Sequence, residues 1–225
     1  MLSLQPVPTW SAEQTRDTFS NGTFHDVIGG VEIQKSADDL QRYRELVEIS
    51  QPDIVIETGT RAGGSALWFH RELNLQVVTI DVRPQFLKKG GPPYRGPGIE
   101  WMVGSSIVDH VVNAALTHLG GKRVMVSLDS DHHSPHVQAE MSIWGQFVSP
   151  GCYMVVEDGC FDMFHRLGNS DHARVGGQRI PEYGGPLDAI EKSGIALSSE
   201  WWRDESLEAL TPISHSPVGW WRKHD

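Results

Sequence analysis

Asp129, Glu157 and Asp158 are the residues most able to do chemistry together. Each follows an apolar run, residues 123–128 in one case and 152–156 in the other. If those runs are neighbouring strands of a parallel sheet, three carboxylates converge at the strand ends. They repel one another unless they are protonated or hold a cation. Hard oxygen ligands suit Mg²⁺ or Ca²⁺, and Mg²⁺ keeps waters or substrate oxygens in its shell. The plainer alternative is that Glu157-Asp158 opens a solvated loop while Asp129 caps the helix after its strand. His132 stands three residues beyond Asp129, where an imidazole that titrates near neutrality can serve as a general base. His133 and His136 compete for that role, and an ordinary surface or capping role is open to each. No further Cys or His pair completes a zinc motif.

A second constellation lies in residues 53–65, DIVIETGTRAGGS. A short apolar run stops at the acid Glu57. Thr58, Gly59 and Thr60 follow, and Gly63-Gly64-Ser65 opens a helix. This reads as a parallel strand feeding a nucleotide-binding turn. A turn that cradles a pyrophosphate wants bare N–H groups and no carboxylate nearby. E-x-G-x-x-x-G-G suits a ligand with a cationic amino group, which points to S-adenosylmethionine rather than NAD. Asp81 ends the next strand, 24 residues after Glu57, a spacing that suits a hydrogen bond to ribose hydroxyls. Ser105 and Ser106 follow the third strand and can border an adenine. Gly63 and Gly64 can instead be purely geometric, and Asp81 can be a turn cap.

The elements that must position these residues are legible. Residues 1–35 read as an irregular N-terminal arm, and 36–225 as one domain. Ser36 caps a helix over 37–50 that Pro52 ends. Strands are expected at 53–57, 76–81, 99–103, 123–128 and 152–156, with helices near 64–73, 107–118 and 136–147. This alternation implies a Rossmann-like α/β fold with right-handed crossovers and a mostly parallel sheet. Residues 83–98 are too broken for a helix. Residues 159–185 read as a long loop, either a lid over substrate or an insertion. A helix over 186–193 ends at Gly194. Residues 217–222 read as a closing antiparallel strand at the sheet edge. The tryptophan pairs at 201–202 and 220–221 suit a core or an oligomer surface.

Global numbers exclude several classes. The net charge of −10 argues against nucleic acid or an anionic membrane surface as partner. No run approaches the roughly 20 apolar residues of a membrane span, and MLSLQPVPTW lacks the features of a signal peptide. Cys152 and Cys160 fit a reducing cytoplasm better than a disulfide framework.

Four segments, IETGTRAGGSALWF, VTIDVRP, SLDSDHHSPHVQAEM and VSPGCYMVVEDG, together resemble the cephalosporin hydroxylase / rhamnosyl O-methyltransferase family. The resemblance spans about residues 22–223 and takes in PLDAI and the Pro217-x-Gly219-Trp220 motif. It implies a class I S-adenosylmethionine-dependent methyltransferase fold. By analogy with relatives that methylate macrolide sugars, it implies a metal on Asp129, Glu157 and Asp158, with His132 as the base. It implies Glu57, Thr58, Gly59, Gly63, Gly64 and Ser65 around the methionine part, Asp81 at the ribose, and Ser105 or Ser106 near the adenine. The chain departs from some relatives in lacking a large N-terminal oligomerisation region and in its 88–93 linker, KKGGPP, so a homo-oligomer stays an open expectation.

The expected activity is Mg²⁺-dependent O-methylation of a small-molecule hydroxyl, on a sugar or glycosylated natural product. One alternative is an oxidative tailoring enzyme, with Asp129, His132 and His136 as an iron site. Another is a non-catalytic S-adenosylmethionine-binding module, which would not need the carboxylates and His132.

Overall fold

A computed structural model describes residues 4–20, 25–168, 174, 175, 178, 179 and 184–225. Helix α1 (Ala12–Ser20) and the strands β1 (His25–Ile28) and β2 (Val31–Gln34) come first. The N-terminal segment is therefore not irregular. Ile28 pairs with Val31 across Gly29-Gly30, and both glycines have positive φ, as a two-residue type I′ hairpin turn requires. Gly29 and Gly30, read from the sequence as part of an irregular arm, are a turn signal. Helix α2 (Ala37–Ser50) follows, its first turn closed by Ser36 accepting from the Asp39 N–H.

The α/β rhythm then runs close to expectation. It comprises β3 (Ile54–Thr58), α3 (Gly64–Glu72), β4 (Gln76–Asp81), β5 (Ile99–Val103), α4 (Asp109–Leu116), β6 (Val124–Leu128), α5 (Ser134–Trp144) and β7 (Tyr153–Val156). The expected loop over 159–185 instead begins as α6 (Cys160–Arg166). Phe161, Met163 and Phe164 bury there, and Asp162 accepts from the N–H groups of Gly185 and Leu187 at 2.8 and 2.9 Å. Residues 169–173, 176, 177 and 180–183, on which the lid expectation partly falls, lie outside the described residues. The short strands β8 (Arg174–Val175) and β9 (Gln178–Arg179) precede α7 (Pro186–Ser193), β10 (Trp201–Arg203), α8 (Glu205–Glu208) and β11 (Trp220–Lys223).

The main sheet has the order β10-β11-β7-β6-β3-β4-β5. The five strands from β7 to β5 are parallel, β11 runs antiparallel to β7, and β10 pairs antiparallel with β11. The sheet does end in an antiparallel edge strand. That strand is β10, however, and the closing segment expected at the edge is β11, inserted between β10 and β7. Trp220 and Trp221 are buried there, which settles them as core.

Both faces of the sheet are covered, which is why its strands read as continuous apolar runs. Side chains alternate across a strand. Ile54 and Ile56 pack with Val111, Val137 and Trp144 beneath α4 and α5. Val55 packs with Tyr43, Leu67 and Phe69 of α2 and α3 on the other face.

The register sets the chemistry. Thr58 pairs with Leu128, and Leu128 with Val156, so the residues just beyond these ends are neighbours. Asp129 N–H donates to Thr58 O, and Glu157 N–H to Leu128 O, both at 3.0 Å. Gly59 has a φ of +90°, and a Cβ there would lie 1.8 Å from the carbonyl oxygen of Asp129. Gly59→Ala is therefore expected to cost at least ~2 kcal/mol, from left-handed strain plus displaced backbone. Urea unfolding of the variant checks this, and a loss below ~0.5 kcal/mol would contradict it.

Candidate active site

A cavity of about 720 Å³ opens over the carboxyl ends of the strands. Asp129, Asp158 and His132 line it, and so do Gly59, Gly64, Ser65, Asp81, Ser105 and Ser106. Glu57, Thr58, Gly63 and Glu157 stand behind its wall. This is where open α/β sheets bind ligands.

His132 Nε2 lies 3.2 Å from Asp158 Oδ2 and 3.5 Å from Asp129 Oδ1. Ligand atoms of Asp129, His132 and Asp158 all lie within 4.8 Å of one another, the one such grouping of three or more among the described residues. Asp158 has a φ of 63°, a left-handed conformation that Asp tolerates better than most residues. Burial, aided by the charges of Asp129 and Glu157, pushes its carboxyl up to about 7. Burial works to lower the His132 imidazole, but Asp158 and Asp129 outweigh it and raise it to about 9. Against burial, Lys35 and His132 hold Asp129 below the usual carboxylate range. The two carboxylates facing one cavity offer hard oxygen ligands that suit Mg²⁺, with the His132 imidazole beside them.

The fold separates His132, favoured by its spacing from Asp129, from its competitors His133 and His136. His133 engages Asp131. His136 Nε2 turns to Ser106 Oγ at 3.3 Å and Glu140 Oε1 at 3.4 Å. Only His132 faces Asp129 and Asp158. The iron site drawn on Asp129, His132 and His136 is thus not assembled.

Glu157 is held apart from that grouping. Lys35 Nζ lies 2.6 Å from both of its oxygens and 2.9 Å from Asp129 Oδ2. Tyr43 Oη donates to Glu157 Oε1 at 2.6 Å, and Ser127 Oγ at 2.7 Å. Burial opposes the charge on Lys35, yet the adjacent carboxylates raise its pKa well above the ordinary lysine value. Lys35 and Tyr43, which hold Glu157, are the members of this cluster that sequence reasoning missed. Tyr43 is legible only as part of the apolar stripe of α2. Lys35 sits just before the Ser36 cap, at the seam drawn between arm and domain. The one general signal for it is that buried carboxylates require a counter-charge.

On the cofactor side, Gly59 lets the turn lie directly on the Asp129 backbone. Gly64 is demanded by packing as well, since a Cβ there would lie 2.0 Å from Glu32 O. Thr79 Oγ1 donates to Glu57 Oε2 at 2.6 Å, while Glu57 Oε1 is buried without a hydrogen-bond partner. Burial pushes the Glu57 carboxyl up to about 7 against the pull of Lys35. Asp81 is both cap and wall. Its oxygens accept from the N–H groups of Arg61 and Arg83 at 2.8 and 2.7 Å, and the residue still borders the cavity. Ser106 donates to buried Glu140.

A sheet of this order, with a glycine turn after β3 and acids at the ends of β4, β6 and β7, is the class I methyltransferase fold. The chain belongs to the rhamnosyl O-methyltransferase/CmcI family, whose model matches residues 23–224. It is 30% identical over 199 residues to the rhamnosyl O-methyltransferase of Mycobacterium bovis, an alignment covering 84% of this chain and 75% of that protein. CmcI solved with Mg and SAM superposes with a TM-score of 0.56 at 15% identity, over 87% of this chain and 75% of that one. The methyltransferase MycE from the mycinamycin biosynthetic pathway, solved with Mg and SAH, gives 0.52 at 18% identity, over 82% and 48%.

Proposed function

We propose that this protein is an S-adenosylmethionine- and Mg²⁺-dependent O-methyltransferase acting on a hydroxyl of a sugar or glycosylated natural product. The observation that carries the reading is the position of His132, with its Nε2 between Asp129 and Asp158 at the cavity wall. The rhamnosyl O-methyltransferase relatives and the Mg in the CmcI and MycE structures support it.

When bound, S-adenosylmethionine supplies a methyl group already activated as a sulfonium, and Mg²⁺ supplies positive charge that lowers the pKa of an acceptor hydroxyl. Asp129 and Asp158 would hold the metal, with Glu157 behind them. With a cation on Asp129 and Asp158 offsetting the carboxylate charge that raises the imidazole, His132 Nε2 would take the hydroxyl proton. The acceptor oxygen bonds to the methyl carbon while the methyl–sulfur bond breaks, its electron pair staying with S-adenosylhomocysteine. Phe161, whose ring centroid lies 6.0 Å from that of His132, walls this end of the cavity. Asp81, Ser105 and Ser106 position the nucleoside, and the turn formed by Glu57, Thr58, Gly59, Gly63, Gly64 and Ser65 positions the methionine part. Most of the acceleration comes from alignment, since the methyl donor needs no further activation.

The same reading makes residues 36–225 the catalytic domain, with the 1–35 arm supplying Glu32, Gln34 and Lys35 to the cavity wall. No helix among the described residues is long and apolar enough to cross a membrane. The free, buried Cys152 and Cys160 support a cytoplasmic location. The net charge of −10 speaks against a nucleic-acid partner. The exposed Trp202 on edge strand β10 leaves room for a homo-oligomer.

Calorimetric titration with S-adenosylhomocysteine tests the cofactor half. Asp81→Ala is expected to weaken binding by about tenfold or more, the worth of a charge-assisted hydrogen bond. No binding to the wild-type protein would overturn the reading. Methyl transfer to a panel of rhamnosides and other sugar diols, with and without chelator, tests the acceptor half.

A further inference from the structure

Lys35 is a residue of the site whose role the cofactor turn, the carboxylates and the histidines leave open. Its side chain is 2% exposed, yet it lines the cavity. An ammonium carries three donor hydrogens. Here they are spent on Asp129 Oδ2 and the two oxygens of Glu157, so none is left over for an acceptor or a methyl donor. Lys35 is therefore not a catalytic acid or a substrate anchor. Its effect must pass through the carboxylates it holds.

We propose that Lys35 is a positioning residue that sets the charge of the cation site: it fixes Glu157 and the Oδ2 atom of Asp129 and leaves a cluster that one divalent ion neutralises. Counted formally as three carboxylates and one ammonium, Asp129, Glu157, Asp158 and Lys35 sum to −2, with His132 left outside the count. Without Lys35 the charge is −3, and nothing else charged replaces it at Glu157, whose other partners are the neutral hydroxyls of Tyr43 and Ser127. Asp129 keeps Oδ1, the atom beside His132, turned toward Asp158. The inference rests on the cation reading of the preceding section.

Charge selectivity separates this role from a merely structural one. Tb³⁺ and Ca²⁺ are similar in size and both prefer oxygen ligands, so the ratio of their affinities reports site charge while general damage to the site cancels. Each protein is titrated with Tb³⁺, followed by luminescence, and the Tb³⁺ is then displaced with Ca²⁺. Lys35→Met is expected to raise the Tb³⁺/Ca²⁺ affinity ratio by at least about tenfold, because one buried unit charge is removed a few ångströms from the ion. Lys35→Arg keeps the charge and should keep the ratio within about threefold.

The pair Glu157→Gln and Lys35→Met/Glu157→Gln guards against Lys35→Met failing to fold. Glu157→Gln lowers the ratio, and the double variant, at −2 again and without an unpaired Glu157 carboxylate, returns it to the wild-type value. A ratio unchanged by Lys35→Met, or a double variant identical to Glu157→Gln, overturns the inference and leaves the methyltransferase reading standing. Binding of neither ion by the wild-type protein overturns both.

Discussion

Asp158→Asn is expected to abolish Mg²⁺ binding and to lower methyl transfer at least ~10³-fold, with S-adenosylhomocysteine affinity changed by less than about threefold. Asp158 is the carboxylate nearest His132, at 3.2 Å, and it faces the cavity in a left-handed backbone conformation. Burial and two neighbouring carboxylates make its charge costly on its own, so a cation there gains what the empty cluster loses. Asn keeps the shape and the backbone preference while removing the charge. Asp129→Ala should act in the same direction, and chelator should reproduce both defects in the wild-type protein. Calorimetry with Mg²⁺ and turnover in the presence of chelator are the measurements. Full activity in chelator would remove the metal from the reaction.

The second large effect is at His132. His132→Ala is expected to reduce turnover by about 10²–10⁴, the range for loss of a positioned general base. Metal and cofactor-product affinity should stay within about threefold. The geometry excludes a substitute, because His133 and His136 are committed to Asp131 and to Glu140 with Ser106. His133→Ala and His136→Ala should therefore leave far more turnover than His132→Ala. Single-turnover methyl transfer separates loss of chemistry from slow product release. Equal losses for all three variants would argue that the histidines serve folding rather than proton transfer.

Much of this could be read from the chain. The five parallel strands are short apolar runs because helices bury them on both faces, and such runs are visible without coordinates. Ser36 and Gly194 mark their helix ends through local chemistry alone. The candidate carboxylates were legible for the same reason, since each ends a run. Where reading failed, the deciding contacts were distant in sequence. The hairpin at Gly29-Gly30 packs on α3, and α6 owes its burial to Trp10 and Ala12 of the arm. Strand β11 sits inside the sheet because Trp220, Trp221 and Arg222 pair with β7 on one side while β10 takes the other.

The sequence by itself determined the alternation of elements, the family and the set of polar residues at the strand ends, because periodicity and turn chemistry are local properties of the chain. Only the tertiary structure decided that His133 and His136 turn to other partners, that Glu157 pairs with Lys35, and that the supposed arm supplies the site's buried ammonium. Lys35 reaches Asp129 across 94 residues of chain and Glu157 across 122. A pairing at that separation leaves no mark in composition or spacing. It is set by how α2 and the β1–β2 hairpin dock on the sheet, and docking is a property of packed surfaces rather than of any one segment.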